Sequence, residues 1–382
     1  MSQDERLLQW TQEVSTHMTH MSRPQAVVLA LWSYGMVMTR CCGLTTVAGF
    51  LCLLHGKKFK TVRQRLREWC YDGQDKRGKQ RQTVQVQSCF APLLRWILKR
   101  WTSAIPRLAI ALDATHLRQD FIVLAVCVVY NQSSLPVAWV IVRSEQKGSW
   151  KVHWETLLAT LQAVIPSEWQ VLVLADSGLY AKWLYDDIVA YGWHPYLRLS
   201  GQGYFRPLAG QCWRSLRAAC RQGGSVRRWQ AVCFKTQSAQ LPCTLLAWWD
   251  SQHDDPWLIV TDIPPQQAQV AWYGLRAYIE VGFKYTKRGG WHWEQTKMKD
   301  PLRAERLWFV MAVATLYLLS LDATASLLAF PALPPSLSLF RRGWLYNLVL
   351  HLVGQPIPHR SFVPILGPTI CPSFFNLNYL PL

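Results

Sequence analysis

The chain has 382 residues, half of them hydrophobic, and a formal net charge of +18 at pH 7. This composition excludes a disordered protein and predicts a large core, arranged in two or three structural units rather than one. The excess of cations is hard to reconcile with a protein that acts on small neutral solutes. It favours a polyanionic partner, most directly nucleic acid, although a basic charge balance also serves to keep a surface solvated.

Cysteine usage and the N-terminus indicate the compartment. The 11 cysteines are scattered without a CxxC pair, which is typical of reduced, buried thiols. The N-terminus is polar and acidic, so no signal peptide is visible. Two apolar stretches, at 26–38 and 307–321, are shorter than the roughly 20 residues that span a bilayer, which favours buried core helices. We therefore expect a cytoplasmic protein with no membrane partner.

A basic segment lies between residues 57 and 81. It contains ten Lys or Arg residues against three acids, a local excess of seven positive charges that suits phosphate binding. The preceding pattern predicts short helices punctuated by Gly43 and Gly56, with a basic last helix. These helices fit a helix-turn-helix that enters a major groove, and equally a charged helix followed by a loose basic loop. The cations expected to contact nucleic acid are Lys58, Lys60, Arg63, Arg65 and Arg67.

The pattern changes at residue 107. Three apolar runs separated by polar turns predict three consecutive strands, followed by a helix, a strand, a helix and a strand. This is the element order of a ribonuclease H-like α/β domain, a mixed sheet with flanking helices. Short strands broken by glycines predict a β-rich insertion, and two helices follow it. The expected divisions are a helical, basic domain at 1–100, the core at 101–200 and 266–325, the insertion at 201–265, and a tail of unknown role at 326–382.

A polar stripe marks the helix predicted for residues 273–287. At about 100° per residue, Tyr273, Arg276, Glu280 and Lys287 fall within a stripe about 60° wide, and Lys284 lies beside it. One carboxylate is thereby placed among cations and a phenol, next to apolar positions. Such a grouping is typical of a site that holds a metal ion and a phosphodiester.

Two aspartates follow apolar runs that predict buried strands. Asp113 comes directly after LAIAL, and Asp176 directly after VLVLA. A buried carboxylate is unfavourable unless a cation compensates it, and sites collect at the carboxyl ends of strands in α/β sheets. With Glu280 the two aspartates form a hard-oxygen set suited to two Mg²⁺ or Mn²⁺ ions. Taken singly, each aspartate is more simply explained as a turn residue or a helix cap.

The combination resembles the DDE transposases, in particular the bacterial insertion-sequence group whose glutamate lies in a Tyr-x₂-Arg-x₃-Glu-x₆-Lys signature. The polar stripe reproduces that spacing in full. Asp113 begins an Asp-x-Thr motif completed by Thr115, and residues 176–178 read Asp-Ser-Gly where the family often has Asp-Arg-Gly. The family also carries a β-rich insertion before the glutamate. The resemblance covers about residues 107–321.

The resemblance implies an enzyme that cuts DNA at the ends of its own mobile element and joins them to target DNA by two-metal-ion phosphoryl transfer. It further implies a homodimer on the element's terminal repeats, acting at a bacterial nucleoid. The expected catalytic and metal-binding residues are Asp113, Asp176 and Glu280. The expected DNA contacts at the site are Tyr273, Arg276, Lys284 and Lys287.

Two alternatives remain open at the level of sequence. One is a transposase relic or regulator that binds DNA without cutting it, and metal-dependent cleavage would separate it from an active enzyme. The other is a ribonuclease H-like nuclease without strand transfer, which would yield nicks but no joined ends. Beyond the site, we expect Glu305 and Arg306 to be surface residues on the helix after the polar stripe.

Overall fold

The computed structural model describes residues 3–78, 81–101, 106–146, 148–251, 254–325, 331, 333–334, 336–358 and 362. These residues form two compact units. The helical unit is built from Met1–Ala104, Ala114–Ile165 and Ile279–Pro364, and the sheet unit from Ile105–Asp113 and Pro166–Tyr278. The units therefore combine segments that the sequence analysis assigned to different domains. Of the predicted tail, most residues lie outside the described part of the chain.

The helical unit begins with five helices. They are α1 (Gln3–His17), α2 (Arg23–Thr39), α3 (Leu44–His55), α4 (Phe59–Trp69) and α5 (Gln87–Lys99). The predicted punctuation is confirmed, because Gly43 is the N-cap of α3 and Gly56 ends α3 with a φ of +61°, a conformation that glycine adopts without strain. On α4, Val62, Leu66 and Trp69 are buried, so its basic residues lie on the remaining faces.

A β-hairpin and further helices complete the helical unit. They are β2 (Phe121–Tyr130), β3 (Ser133–Arg143), α6 (Lys151–Gln162), α8 (Tyr278–Lys284), α9 (Pro301–Ala325) and α10 (Leu339–Leu352). β2 is buried along its whole length, as its unbroken apolar sequence requires. Gly343 of α10 lies so close to α9 that a Cβ atom there would be 2.2 Å from the Leu318 carbonyl oxygen, which explains why glycine occupies this crossing.

The apolar helices differ in whether they could span a membrane. Among the described helices, α9 alone is long and apolar enough to cross a bilayer, and α2 with α3 passes as a pair bent by 99°. Of the most apolar window of α9, 89% is buried inside the protein. A core helix of a water-soluble protein passes the same test, so this is weak evidence for a membrane span.

The sheet unit is a mixed sheet. Its strands are β1 (Arg107–Leu117, which enters the helical unit after Asp113), β4 (Gln170–Ala175), β5 (His194–Arg198), β6 (Tyr204–Pro207), β7 (Arg214–Ser215), β8 (Arg227–Cys233), β9 (Leu241–Trp248) and β10 (Trp257–Thr261), with α7 at Lys182–Ala190. The strand order is β1-β4-β5-β10-β9-β8-β6-β7. β1, β4 and β5 are parallel, and β10 pairs antiparallel with β5 to bring in the β-rich insertion.

The predicted element order is confirmed: β1, β2, β3, α6, β4, α7 and β5 are the three strands, helix, strand, helix and strand of a ribonuclease H-like core. The register fixes what lies at the end of the parallel strands. Leu112 pairs with Ala175, and Ala175 pairs with Leu197. The next residue on each strand, Asp113, Asp176 and Arg198, therefore sits at the same edge of the sheet.

The expectation that Glu305 and Arg306 are surface residues is wrong, because both are buried, at 3% and 4% exposure. Glu305 accepts a hydrogen bond from the Ile141 backbone N–H of β3 at 2.9 Å and one from the Gln87 side chain at 3.2 Å. It thus satisfies a backbone group on the outer side of β3 that has no neighbouring strand. Burial raises the pKa of Glu305 to about 7, against the lowering effect of these hydrogen bonds and of Arg306.

Glu305→Gln should change how stability depends on pH. Because the pKa of Glu305 is raised in the folded protein, its protonated form is favoured there, and stability falls as pH rises from about 4.5 to about 7. Glutamine keeps the acceptor for Ile141 but has no charge. As pH rises from 5 to 8, the unfolding free energy of the variant should therefore increase relative to that of wild type by on the order of 2 to 3 kcal/mol. Urea denaturation at each pH measures this difference. Parallel pH profiles would contradict this; Glu155→Gln, on a carboxyl 37% exposed, is the control.

Candidate active site

The two aspartates meet at the edge where the parallel strands β1 and β4 stop pairing. Asp176 follows β4 directly, as predicted. Asp113 also follows the last paired residue of β1, but the strand itself continues to Leu117, so Asp113 is not at a strand end. Beyond the paired residues the strand becomes less buried, and its last residue, Leu117, is buried again. Asp113 therefore lies within a strand, whereas Asp176 is the first residue after one.

Asp176 has two different partners for its two carboxylate oxygens. Oδ1 accepts a hydrogen bond from the Gly178 backbone N–H at 3.0 Å, which makes residues 176–178 an Asx-type turn. Oδ2 faces Arg276. One carboxylate oxygen of Asp176 therefore shapes the turn, while the other points to the Arg276 guanidinium.

Arg276 bridges the two aspartates through a single nitrogen atom. Its Nη2 lies 3.1 Å from Oδ2 of Asp113 and 3.2 Å from Oδ2 of Asp176. The side chains of Arg276 and Asp113 are each 15% exposed, and that of Asp176 is 36% exposed. Two carboxylates in this position would repel each other without a shared cation. The guanidinium thus compensates a pair of negative charges that the strand register forces together.

The polar stripe does not lie on one continuous α-helix. The backbone is a 3₁₀ helix over Val270–Ala277, an α-helix over Tyr278–Lys284 and a π-helix over Tyr285–Gly289. The expectation of one α-helical stripe is therefore wrong, because residues advance by about 120° in a 3₁₀ segment rather than 100°. Glycines at 274, 282, 289 and 290 weaken regular α-helix in this stretch. The π segment is a feature found frequently at functional sites.

Tyr273 is buried rather than on an exposed face. Its side chain is 4% exposed and packs edge-on against Trp257, with ring centroids 5.0 Å apart. Burial raises the pKa of Tyr273 to about 12, although Arg276 and Arg198 lower it and Arg198 hydrogen-bonds the phenol. The phenol therefore stays protonated at neutral pH and sits among the two guanidinium groups.

In the helical unit, the remaining signature residues lie on α8 and the π-helix. Ile279 and Phe283 are buried and anchor α8, while Glu280 and Lys284 are exposed on its other side. Lys287 donates a hydrogen bond to the Thr115 hydroxyl at 2.6 Å, which links the signature to the Asp-x-Thr motif. Gly282 packs against β3, where a Cβ atom would lie 2.1 Å from the Ser134 hydroxyl. A larger residue at 282 would displace the helix that carries Glu280.

The donor chemistry at the sheet edge suits a divalent cation. Asp113 and Asp176 point one carboxylate oxygen each at the same guanidinium nitrogen, and converging carboxylate oxygens are the ligands that Mg²⁺ and Mn²⁺ prefer. Among the described residues, no group of three or more His, Cys, Asp or Glu side chains is placed to hold a metal ion. The aspartate pair thus fits a metal as two ligands, and the role of Glu280 as a third stays a prediction.

The five predicted DNA-contacting cations of the basic segment lie on or next to α4, but not on one face. Lys60 and Arg65 line a concave surface together with residues from the start of α2. Arg63 and Arg67 do not line this surface, and Lys58 is the N-cap. Arg67 also stacks on Tyr71, with 5.2 Å between the guanidinium carbon and the ring centroid. Their contact with DNA stays a prediction.

Sequence reasoning missed Arg198, the partner of Tyr273. The sequence HPYLRLS was predicted as a strand with Arg198 inside it, whereas in the structure Arg198 is the last residue of β5. A polar residue at the carboxyl end of a third parallel strand belongs to the same sheet edge as the aspartates. The hydroxyl of Thr115 as the partner of Lys287 was not foreseen either, since nothing in the spacing pairs them.

The chain was compared with protein families, curated proteins and solved structures. A family described as "Transposase DDE domain" matches residues 105–317, more than half of the chain. Among solved structures, the chain is similar to the piggyBac transposase in the cryo-EM structure of its synaptic complex with hairpin DNA, at a TM-score of 0.41 and 11% identity, over 94% of this chain and 75% of that one. No curated protein matches it. The family match spans the aspartate pair, Glu280 and Lys287, and the chain belongs to the DDE transposase domain family.

Proposed function

We propose that the protein is a DNA transposase that cleaves DNA at the ends of its own mobile element and joins them to a target by two-metal-ion phosphoryl transfer. Its partners are the terminal repeats of the element and target DNA, which it holds as a homodimer at a bacterial nucleoid. The net charge of +18 supports a polyanionic partner. The single observation that carries the catalytic assignment is the sharing of one Arg276 nitrogen by Asp113 and Asp176.

The proposed ligands of the metal ions are Asp113, Asp176 and Glu280. Bound by them, two Mg²⁺ or Mn²⁺ ions would activate a water or 3′-hydroxyl and stabilise the leaving oxygen. The strand register holds the two aspartates level with each other without any need for a loop to order first. Asp113 lies on β1 and Asp176 directly follows β4, and such fixed positions suit an in-line displacement, because small misplacements of reacting groups are costly.

The cations around the aspartates are proposed to hold phosphate. Arg276 offers a planar fork of donors that suits carboxylate and phosphate oxygens alike, and its charge also acts on the buried phenol of Tyr273. Lys284 is exposed on α8, and Lys287 is tethered to Thr115. In this arrangement Tyr273 acts chiefly by positioning Arg276, since its buried phenol is surrounded by guanidinium groups. Lys284 and Lys287 are proposed to contact the DNA directly.

The proposal is tested by cleavage and joining of a labelled DNA that carries the element's own ends, in the presence of Mg²⁺ or Mn²⁺. Wild type should cut the ends and join them to a second DNA. Asp113→Asn, Asp176→Asn and Glu280→Gln keep side-chain size and should each reduce both reactions by at least about 10³-fold, as loss of a group that stabilises the transition state does. DNA binding in EDTA should be retained in all three.

The matched control is Asp186→Asn on α7 of the sheet unit, an exposed carboxylate that pairs with Lys182. It should cut and join like wild type. Cleavage by any of the three site variants at the wild-type rate would contradict the site. Cleavage without joining would favour a nuclease, and end binding without cleavage by well-folded wild type would favour a relic or regulator.

Arg276 should compete with divalent cations for the aspartate pair. Arg276→Gln removes the positive charge that both carboxylates share, so we expect Mn²⁺ to bind about tenfold more tightly to this variant without DNA, a difference of about 1.4 kcal/mol. Electron paramagnetic resonance of free Mn²⁺ measures this binding directly.

Arg198→Gln is the control for Arg276→Gln, because Arg198 contacts Tyr273 and the Pro256 carbonyl rather than a carboxylate. Its Mn²⁺ affinity should stay within about twofold of wild type. Equal or weaker Mn²⁺ binding by Arg276→Gln would mean that the aspartates are not where the metal binds.

A further inference from the structure

A concave surface in the helical unit gathers cations that the active site does not use. This basic cleft has a volume of about 880 Å³ and lies between the start of α2, one side of α4 and the segment that follows α4. Its cationic lining is Lys60, Arg65, Lys76, Arg77 and Arg81. Its acidic lining is Glu68. The cleft therefore carries a strong local excess of positive charge in a concave, partly desolvated place.

These cations are crowded without matching carboxylates. Burial and then the charge of Arg81 lower the pKa of Arg65. Burial and then the charge of Arg306 lower the pKa of Lys76, with Arg81 adding to the effect and Glu68 opposing it. The two aspartates of this segment pair with cations that do not line the cleft, Asp72 with Arg306 and Asp75 with Arg303. An anion placed in the cleft would relieve this repulsion.

Backbone carbonyl groups, rather than acids, hold two of the cations in place. Lys76 donates to the Gln82 carbonyl at 2.6 Å, and Arg81 donates to the Arg77 carbonyl at 2.7 Å. Each contact fixes the direction of a side chain but leaves its full charge uncompensated. These side chains have already lost part of their conformational freedom, so binding an anion would cost less conformational entropy.

The wall of the cleft is tied to the core of the helical unit by Arg306. This buried guanidinium donates to the carbonyl groups of Cys70 and Val84, at 2.8 and 3.1 Å, and to Asp72 at 2.6 Å. It therefore pins both ends of the segment that carries Lys76, Arg77 and Arg81. One alternative from sequence was a loose basic loop. In its described residues, this segment is held by Arg306 near both ends and forms one wall of the cleft.

The lining also indicates what part of a nucleic acid would be recognised. Its aromatic residue, Trp69, is 3% exposed and donates its indole N–H to the Arg306 carbonyl, so it offers no face for a base to stack on. Strand-binding sites that accept bases present aromatic faces, whereas Lys and Arg without them contact phosphates. The cleft lining therefore suits a phosphodiester backbone.

We propose that the basic cleft binds the backbone phosphates of DNA without reading base sequence, and that Lys76, Arg77 and Arg81 contribute to this together with Lys60 and Arg65. The inference rests on the proposed function, because it assigns a place on the same protein to the DNA that the active site processes. The proposal places the contacts in the cleft rather than on the outer face of α4 (Lys58, Arg63 and Arg67), whose residues do not line the cleft.

The test compares binding of a labelled duplex of arbitrary sequence in EDTA across several salt concentrations. The cleft variant Arg65→Gln/Lys76→Gln/Arg81→Gln should bind at least about tenfold more weakly, with the slope of log K against log salt reduced by about 2 to 3. Its melting temperature without DNA should be equal to or above that of wild type, because cation crowding is removed. The control, Arg95→Gln/Lys99→Gln on α5, removes two positive charges outside the cleft and should lose less than one unit of slope.

Three outcomes would overturn the proposal. One is an equal loss of slope in the cleft variant and in Lys58→Gln/Arg63→Gln, which would assign the contacts to the outer face of α4. Another is unchanged DNA affinity together with lost binding of inorganic tripolyphosphate, which would make the cleft a site for a small polyphosphate. The third is wild-type DNA binding by the cleft variant with tripolyphosphate binding also unchanged. Because no metal or cleavage is involved, these results are independent of whether Asp113→Asn abolishes catalysis.

Discussion

The sheet edge depends on one electrostatic constraint, the need to compensate two carboxylates that the strand register places side by side. Asp113 and Asp176 stand level because Leu112 and Ala175 are paired on parallel strands. One nitrogen of Arg276 pairs with both carboxylates and compensates their charges. In the same unit, the buried Tyr273 packs on Trp257 and is hydrogen-bonded by Arg198.

A second constraint concerns the helix α9, whose charged residues work inside the fold. Glu305 and Arg306 are neighbours in sequence, yet they serve opposite sides of the helix. Glu305 satisfies a backbone N–H of β3, while Arg306 ties down the segment that forms one wall of the basic cleft. α9 thus links the hairpin to the basic segment within the helical unit. The apolar length that makes α9 resemble a membrane span is explained by this central, buried position.

The sequence was sufficient for the element order because strands such as LAIAL and VLVLA are apolar, short and followed by polar turns. The pairing of Asp113 with Asp176 followed from the same pattern. What sequence could not supply was backbone geometry within the signature segment, where helical propensity alone does not distinguish 3₁₀, α and π turns. The burial of Glu305 was also hidden, since its partners, Ile141 and Gln87, lie far away in the chain.

The most direct measurement is a crystal structure of the protein in Mn²⁺, with anomalous diffraction recorded at the manganese absorption edge. The account predicts an anomalous peak bonded to carboxylate oxygens of both Asp113 and Asp176, with the Arg276 guanidinium displaced from the position between them. An anomalous peak bonded to neither aspartate, with Arg276 still bridging the pair, would contradict the assignment of this sheet edge as the catalytic metal site.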